Sequence, residues 1–151
     1  MINEQDAAIY FGIRALVAIV VGFLVGLERT MSGHEAGIKT LVFVSLGSCI
    51  YSSLGFYLGV MNPAIDPTRV IGQIVTGVGF LGAGVIVRTQ AKVSGLTTAA
   101  IIWMTCSLGA AAGAGFIAVP MFAAVTYLVI VFLLKRIERF LQKIDKEKLE
   151  E

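Results

Sequence analysis

The eighteen residues from Val70 to Val87, VIGQIVTGVGFLGAGVIV, carry no charge and are bounded by Arg69 and Arg88. An α-helix of roughly this length crosses a hydrocarbon layer ~30 Å thick. Gly72, Gly77, Gly79, Gly82 and Gly84 lie inside the stretch, and each interior glycine weakens a helix in water by roughly 1 kcal/mol relative to alanine. In lipid the backbone has no solvent to bond, so the helix forms regardless and its bare faces admit another helix at short range. The stretch predicts a membrane span that acts as the packing centre of an all-α bundle.

Charge is scarce outward from it. Between Lys39 and Arg88 the only acids or bases are Asp66 and Arg69, and the 42 residues from Val93 to Leu134 have none. With a mean hydropathy of +0.87, these gaps read as membrane spans and exclude an ordinary soluble domain. Five are expected: Ala7 to Leu27, Thr40 to Val60, Val70 to Val87, Leu96 to Ala112 and Phe116 to Leu134. Gly113 to Gly115 supplies the turn between the last two, and Pro120 falls early in the fifth helix, where proline is tolerated.

Five spans place the termini on opposite sides. One side collects ten Lys and Arg residues, six of them from Lys135 to Lys148, whereas Arg69 stands alone on the other. The positive-inside rule then predicts a cytoplasmic C-terminus, with the N-terminus and the Asn62 to Thr68 loop outside. Glu4 and Asp6 near the start do not suit a secretory signal, so the first span is expected to be retained. Residues 1–134 read as one transmembrane domain. Residues 135–151 form a tail in which Ile137, Leu141 and Ile144 share a helical face, fitting either a juxtamembrane amphipathic helix or a solvated continuation of the fifth span.

Several polar residues occupy or border these spans. Arg14 lies about two turns into the first, where an unpaired charge costs roughly 2.5 kcal/mol or more. An outer-face set of Arg14, Asp66 and Arg69 is predicted, with an Arg14–Asp66 pair or, alternatively, Arg14 snorkelling outward. At the opposite end Glu28, Arg29, Lys39, Thr40 and Arg88 share a predicted depth, which suggests a polar network around Glu28 or a set of orienting charges. Gln73, Thr97, Thr98 and Trp103 are intramembrane polar groups suited to helix–helix hydrogen bonding. Gly22 with Gly26, Gly55 with Gly59, and Gly109 with Gly113 are further small pairs four apart, favouring a tight bundle or a homodimer.

Other chemistries find little support. Gly77, Gly79 and Gly82 match G-x-G-x-x-G, but the segment reads as a membrane span and the next carboxylate after Asp66 is Glu138. Cys49 and Cys106 sit in apolar runs and read as packed thiols, and His34 has no companion ligand. Neither an enzyme signature nor a nucleic-acid-binding patch is evident.

In order, the chain presents G-x-x-x-G-x-E-R at Gly22 to Arg29, AGIKT at Ala36 to Thr40, DPTR at Asp66 to Arg69, GVGFLGAGVI from Gly77 and GLTTAAIIW from Gly95. Together these resemble the membrane domain of the MgtC/SapB family over about Gly22 to Gly115. The resemblance implies a non-enzymatic, multi-pass protein of the bacterial inner membrane, linked to adaptation to low magnesium and, in some pathogens, to survival in macrophages. It also implies possible modulation of another membrane complex, the proton-translocating ATP synthase among them. A transporter or channel for Mg²⁺, another cation or a small solute is the alternative, and no cofactor is expected unless Mg²⁺ itself binds. Thr30 stands where members often carry a second glutamate, and Lys39 where they often carry arginine. The chain is similar to the short, SapB-like members, so functions tied to the ACT-like C-terminal domain of longer members are not carried over.

Overall fold

The computed structural model describes the backbone of residues 4–149 and the side chains of residues 8–142. Five helices follow one another: α1 (Glu4–Met31), α2 (Ile38–Met61), α3 (Thr68–Val85), α4 (Leu96–Gly113) and α5 (Ala118–Leu149), with a small hairpin of β1 (Val87–Arg88) and β2 (Val93–Ser94) between α3 and α4. Each helix is long and apolar enough to cross a membrane. The hairpin is antiparallel, with Val87 opposite Ser94 and Arg88 opposite Val93. It corrects the predicted third span, which ends at Val85 rather than Val87.

Local chemistry explains the helix ends. α1 closes in a Schellman turn, with His34 N–H donating to the Arg29 carbonyl and Gly33 N–H to that of Thr30; Gly33 takes the required left-handed conformation at φ +73°. α4 repeats the device, with Phe116 bonding Ala111, Gly115 bonding Ala112, and Gly115 at φ +99°. The Asp66-Pro67-Thr68 sequence starts α3, as the Asp66 carboxylate accepts from the Thr68 backbone N–H at 2.9 Å and its hydroxyl at 2.7 Å. Thr30, the departure from the family pattern, accepts from the Ile38 N–H at 3.1 Å and so holds the start of α2.

The packing centre is α2 with α4, flanked by α1. Half of α4's most apolar window is buried but only 11% of that of α3, which corrects the expectation that α3 is central. The reason lies in which glycines meet backbone. A Cβ on Gly109 would strike the Ser45 carbonyl, and one on Gly113 would strike that of Cys49. On α1, a Cβ at Gly22 would come within 2.7 Å of Leu41 O and one at Gly26 within 2.6 Å of Ile38 Cα. By contrast, Gly72, Gly77, Gly79 and Gly84 of α3 would meet nothing within 4 Å, and Gly82 rests lightly on the Ala99 methyl. Val21, Val25, Leu41, Ile102 and Cys106 fill the core between these contacts. α5 runs without a break past Lys135. Ile137 and Leu141 are exposed, while the Ile144 side chain lies outside the described residues.

Candidate functional site at the Glu28 end of the bundle

Glu28 closes the last turns of α1 and carries the densest polar cluster. Its carboxylate accepts from Ser32 Oγ at 2.8 Å, from the Tyr127 hydroxyl at 2.7 Å and from Lys135 Nζ at 2.6 Å, and Lys135 also donates to Ser32 Oγ. The spacing explains the convergence: Ser32, in the turn that closes α1, lies four residues after Glu28 and bonds its carbonyl, and Tyr127 and Lys135 lie eight apart on one side of α5. Three donors on one carboxylate compensate its removal from water, which a single partner would not. The cluster ties the first helix to the last.

The predicted network around Glu28 is therefore corrected in its membership. Lys39, Thr40 and Arg88 are exposed, and among the described residues Glu28–Lys135 is the only ion pair. Arg29 donates through Nη2 to Thr98 Oγ1 at 3.1 Å on α4 and also lies beside the Tyr127 hydroxyl, so it borders the cluster. Tyr127, Lys135 and Ser32 escaped the sequence reading because two of them lie about a hundred residues from Glu28. Matching the depths of Glu28 and Lys135 across the first and last spans was the available signal.

At the opposite end Arg14 does not pair with Asp66. The Schellman turn after α4 leaves the Gly113 carbonyl free, and Arg14 Nη1 donates to it at 3.0 Å while Ser53 Oγ donates at 3.1 Å. A helix C-terminus offers both an orphan acceptor and the negative end of the dipole, so an arginine at that depth is served without a carboxylate. Asp66, fully exposed, spends its acceptors on Thr68, whose hydrogen bonds hold the carboxyl below its ordinary range. Arg69 beside it is exposed.

The remaining intramembrane groups scatter. Gln73 and Thr97 are exposed, Thr98 is half-buried, and Trp103 is 52% exposed on the lipid side of α4 rather than inside the bundle. A seam the sequence reading passed over runs along α2, where Ser45, Ser48 and Ser52 are buried at spacings of three and four. Ser48 Oγ donates to the Val44 carbonyl at 2.7 Å and lies 2.9 Å from the Cys106 sulfur. Both cysteines are free and buried. Among the described residues no three His, Cys, Asp or Glu side chains converge on a metal position.

The comparisons with known proteins agree with the motifs. The model of the MgtC family matches residues 15–140. The chain is 38% identical over 125 residues to an Escherichia coli K12 protein named "Putative magnesium transporter YhiD", covering 80% of this chain and 58% of the relative. It is 41% identical over 106 residues to the protein SapB of Bacillus subtilis, covering 66% and 46%, and 36% identical over 128 residues to the protein MgtC of Brucella abortus, covering 83% and 51%. The chain thus spans about half the length of the curated relatives it matches. No solved structure matches it. With five apolar helices that can span a membrane and a family match over most of its length, the chain is a multi-pass membrane protein and a member of the MgtC family.

Proposed function

We propose that this protein is a non-enzymatic docking module of the bacterial inner membrane, oriented with the Glu28 end toward the cytoplasm, that binds and modulates another membrane protein during magnesium limitation. The observation that carries the reading is the unpartnered face of α3. Gly72, Thr76, Gly79 and Ala83 recur at spacings of four, three and four, which puts them on one side of the helix, and all four are exposed. In lipid a partner gains by backbone proximity rather than by hydrophobic burial, and small residues provide it. Magnesium enters the proposal through the family and through the printed name of the E. coli relative.

Substitution tests this face without breaking the fold, because Gly79 is open. Gly79→Leu is expected to leave thermal stability intact while abolishing self-association or recovery of a membrane partner in affinity purification. Unchanged recovery from a folded Gly79→Leu protein contradicts the docking role.

The same relative's name supports cation transport as the second reading. Mg²⁺ favours several oxygen ligands and holds its water tightly. In a single chain Glu28 is engaged by Lys135, Tyr127 and Ser32, and Asp66 lies at the other end of the bundle. Proteoliposomes loaded with a Mg²⁺ indicator discriminate: flux above empty vesicles that Glu28→Gln or Asp66→Asn abolishes selects transport.

A further inference from the structure

Beside the Glu28 cluster lies a second feature that docking and transport leave unused. A cavity of about 360 Å³ is lined by Arg29, His34, Ser94, Thr97 and Thr98, among others, where the hairpin delivers the chain into α4. Arg29 is only 5% exposed. Its guanidinium bonds Thr98 Oγ1 and lies beside the Tyr127 hydroxyl, its Nε has no partner, and no carboxylate among the described residues forms an ion pair with it. The adjacent Glu28 is already occupied by Lys135, Tyr127 and Ser32. A buried cation whose own side chain is left with spare donors is an unfinished site.

The other wall supplies the same sign of charge. α4 is 18 residues long and begins after Gly95, with no side-chain cap and no acid in its first turn. Its first backbone N–H groups have no partner one turn back, since the earliest such bond runs from Ala99 to the Gly95 carbonyl. Gly95 is fixed at φ +86°, and a Cβ there would collide with the Val85 carbonyl. The hairpin is therefore seated against the end of α3, and the α4 N-terminus faces the cavity. Free N–H groups, the positive end of a helix dipole, two threonine hydroxyls and a guanidinium together match a tetrahedral oxyanion.

We infer that this cavity binds a phosphate group, with Arg29 and the N-terminus of α4 as its two cationic walls and the hydroxyls of Thr97 and Thr98 as additional donors. The site sits at the end of a span, within reach of either a dissolved phosphate or the phosphate of a phospholipid headgroup. The size and donor set are the same for both.

The test uses the full chain, delipidated in a maltoside detergent. One arm titrates inorganic phosphate by calorimetry, and the other measures retention of phosphatidylglycerol by native mass spectrometry against a diacyl glycolipid lacking phosphate. Binding in the first arm assigns a soluble phosphate, and preferential phosphatidylglycerol retention in the second assigns a lipid one. Arg29→Gln is expected to weaken either by tenfold or more. Because Arg29 is buried, Thr97→Asp gives an independent check: Thr97 is exposed, an acid in the first turn suits the helix dipole, and its carboxylate fills the cavity with the wrong charge. Thr97→Asp is expected to lose binding tenfold or more at undiminished thermal stability, while Thr126→Val on α5 leaves binding unchanged. No binding of phosphate in the first arm together with no preference for phosphatidylglycerol over the glycolipid in the second, or full affinity in a folded Thr97→Asp protein, overturns the assignment.

Discussion

Glu28 shows how a carboxylate is held at the end of a membrane helix. Each of its donors is a short, charge-assisted hydrogen bond, of a kind that contributes about 1.5–3 kcal/mol in proteins. Tyr127 is buried, so Tyr127→Phe removes a bond without freeing its ring to rearrange and is expected to cost about 1.5 kcal/mol. The Lys135 side chain is 40% exposed and screened by water, so Lys135→Ala is expected to cost less, about 1 kcal/mol. Thermal unfolding in detergent, ranking Tyr127→Phe below Lys135→Ala, checks the order. Asp66 makes a different prediction. Its carboxyl titrates below the ordinary value of 3.8 because the folded chain gives it the Thr68 hydroxyl and N–H. A depressed carboxyl contributes above its unfolded value and loses that contribution as pH falls through the folded one, so the start of α3 should loosen only below about pH 4. Hydrogen exchange at Thr68 to Val70 should show acid-dependent opening in the native chain and none in Asp66→Asn.

At the scale of elements, the five spans were legible because charge-free runs of the right length leave little alternative in lipid. The turn at Gly113 to Gly115 was legible through Gly115, whose positive φ is the reason glycine is used there. The hairpin was not, since Val87 continues the apolar run of the third span and Val93 begins the charge-free run that leads into the fourth. Glycine content misled where glycine contact would not have. The crowded third span exposes most of its glycines, whereas Gly109 and Gly113, four apart in a less conspicuous segment, lie against the α2 backbone. Nothing in one sequence says which face of a span meets protein and which meets lipid. The distinction predicts opposite outcomes for the same substitution. Gly109→Ala forces α2 and α4 apart and should cost about 1–3 kcal/mol or more, while Gly79→Ala should change stability by less than about 0.5 kcal/mol. Paired thermal melts decide it.

For the whole molecule, all four loops are tied by their own hydrogen bonds, and the ends of the bundle differ in character. One end holds the Glu28 cluster and the Arg29 cavity. The other holds the Arg14–Gly113 contact and the exposed Asp66 turn. The sequence placed these residues at the correct ends but paired them wrongly, because apolar length fixes depth along a span and says nothing of rotation about it. Between the ends, α3 presents a small-residue face to the bilayer, and the proposed docking role rests on that face. The direct measurement is photo-crosslinking in native membranes from a photoreactive residue placed at Thr76 on the stripe, compared with one at the exposed Val129 of α5. A protein adduct, to a second copy or another membrane chain, is predicted from position 76 and not from 129, and Ala83→Leu should abolish it. Equal protein yields from the two positions, or adducts to lipid alone at position 76, would contradict the account.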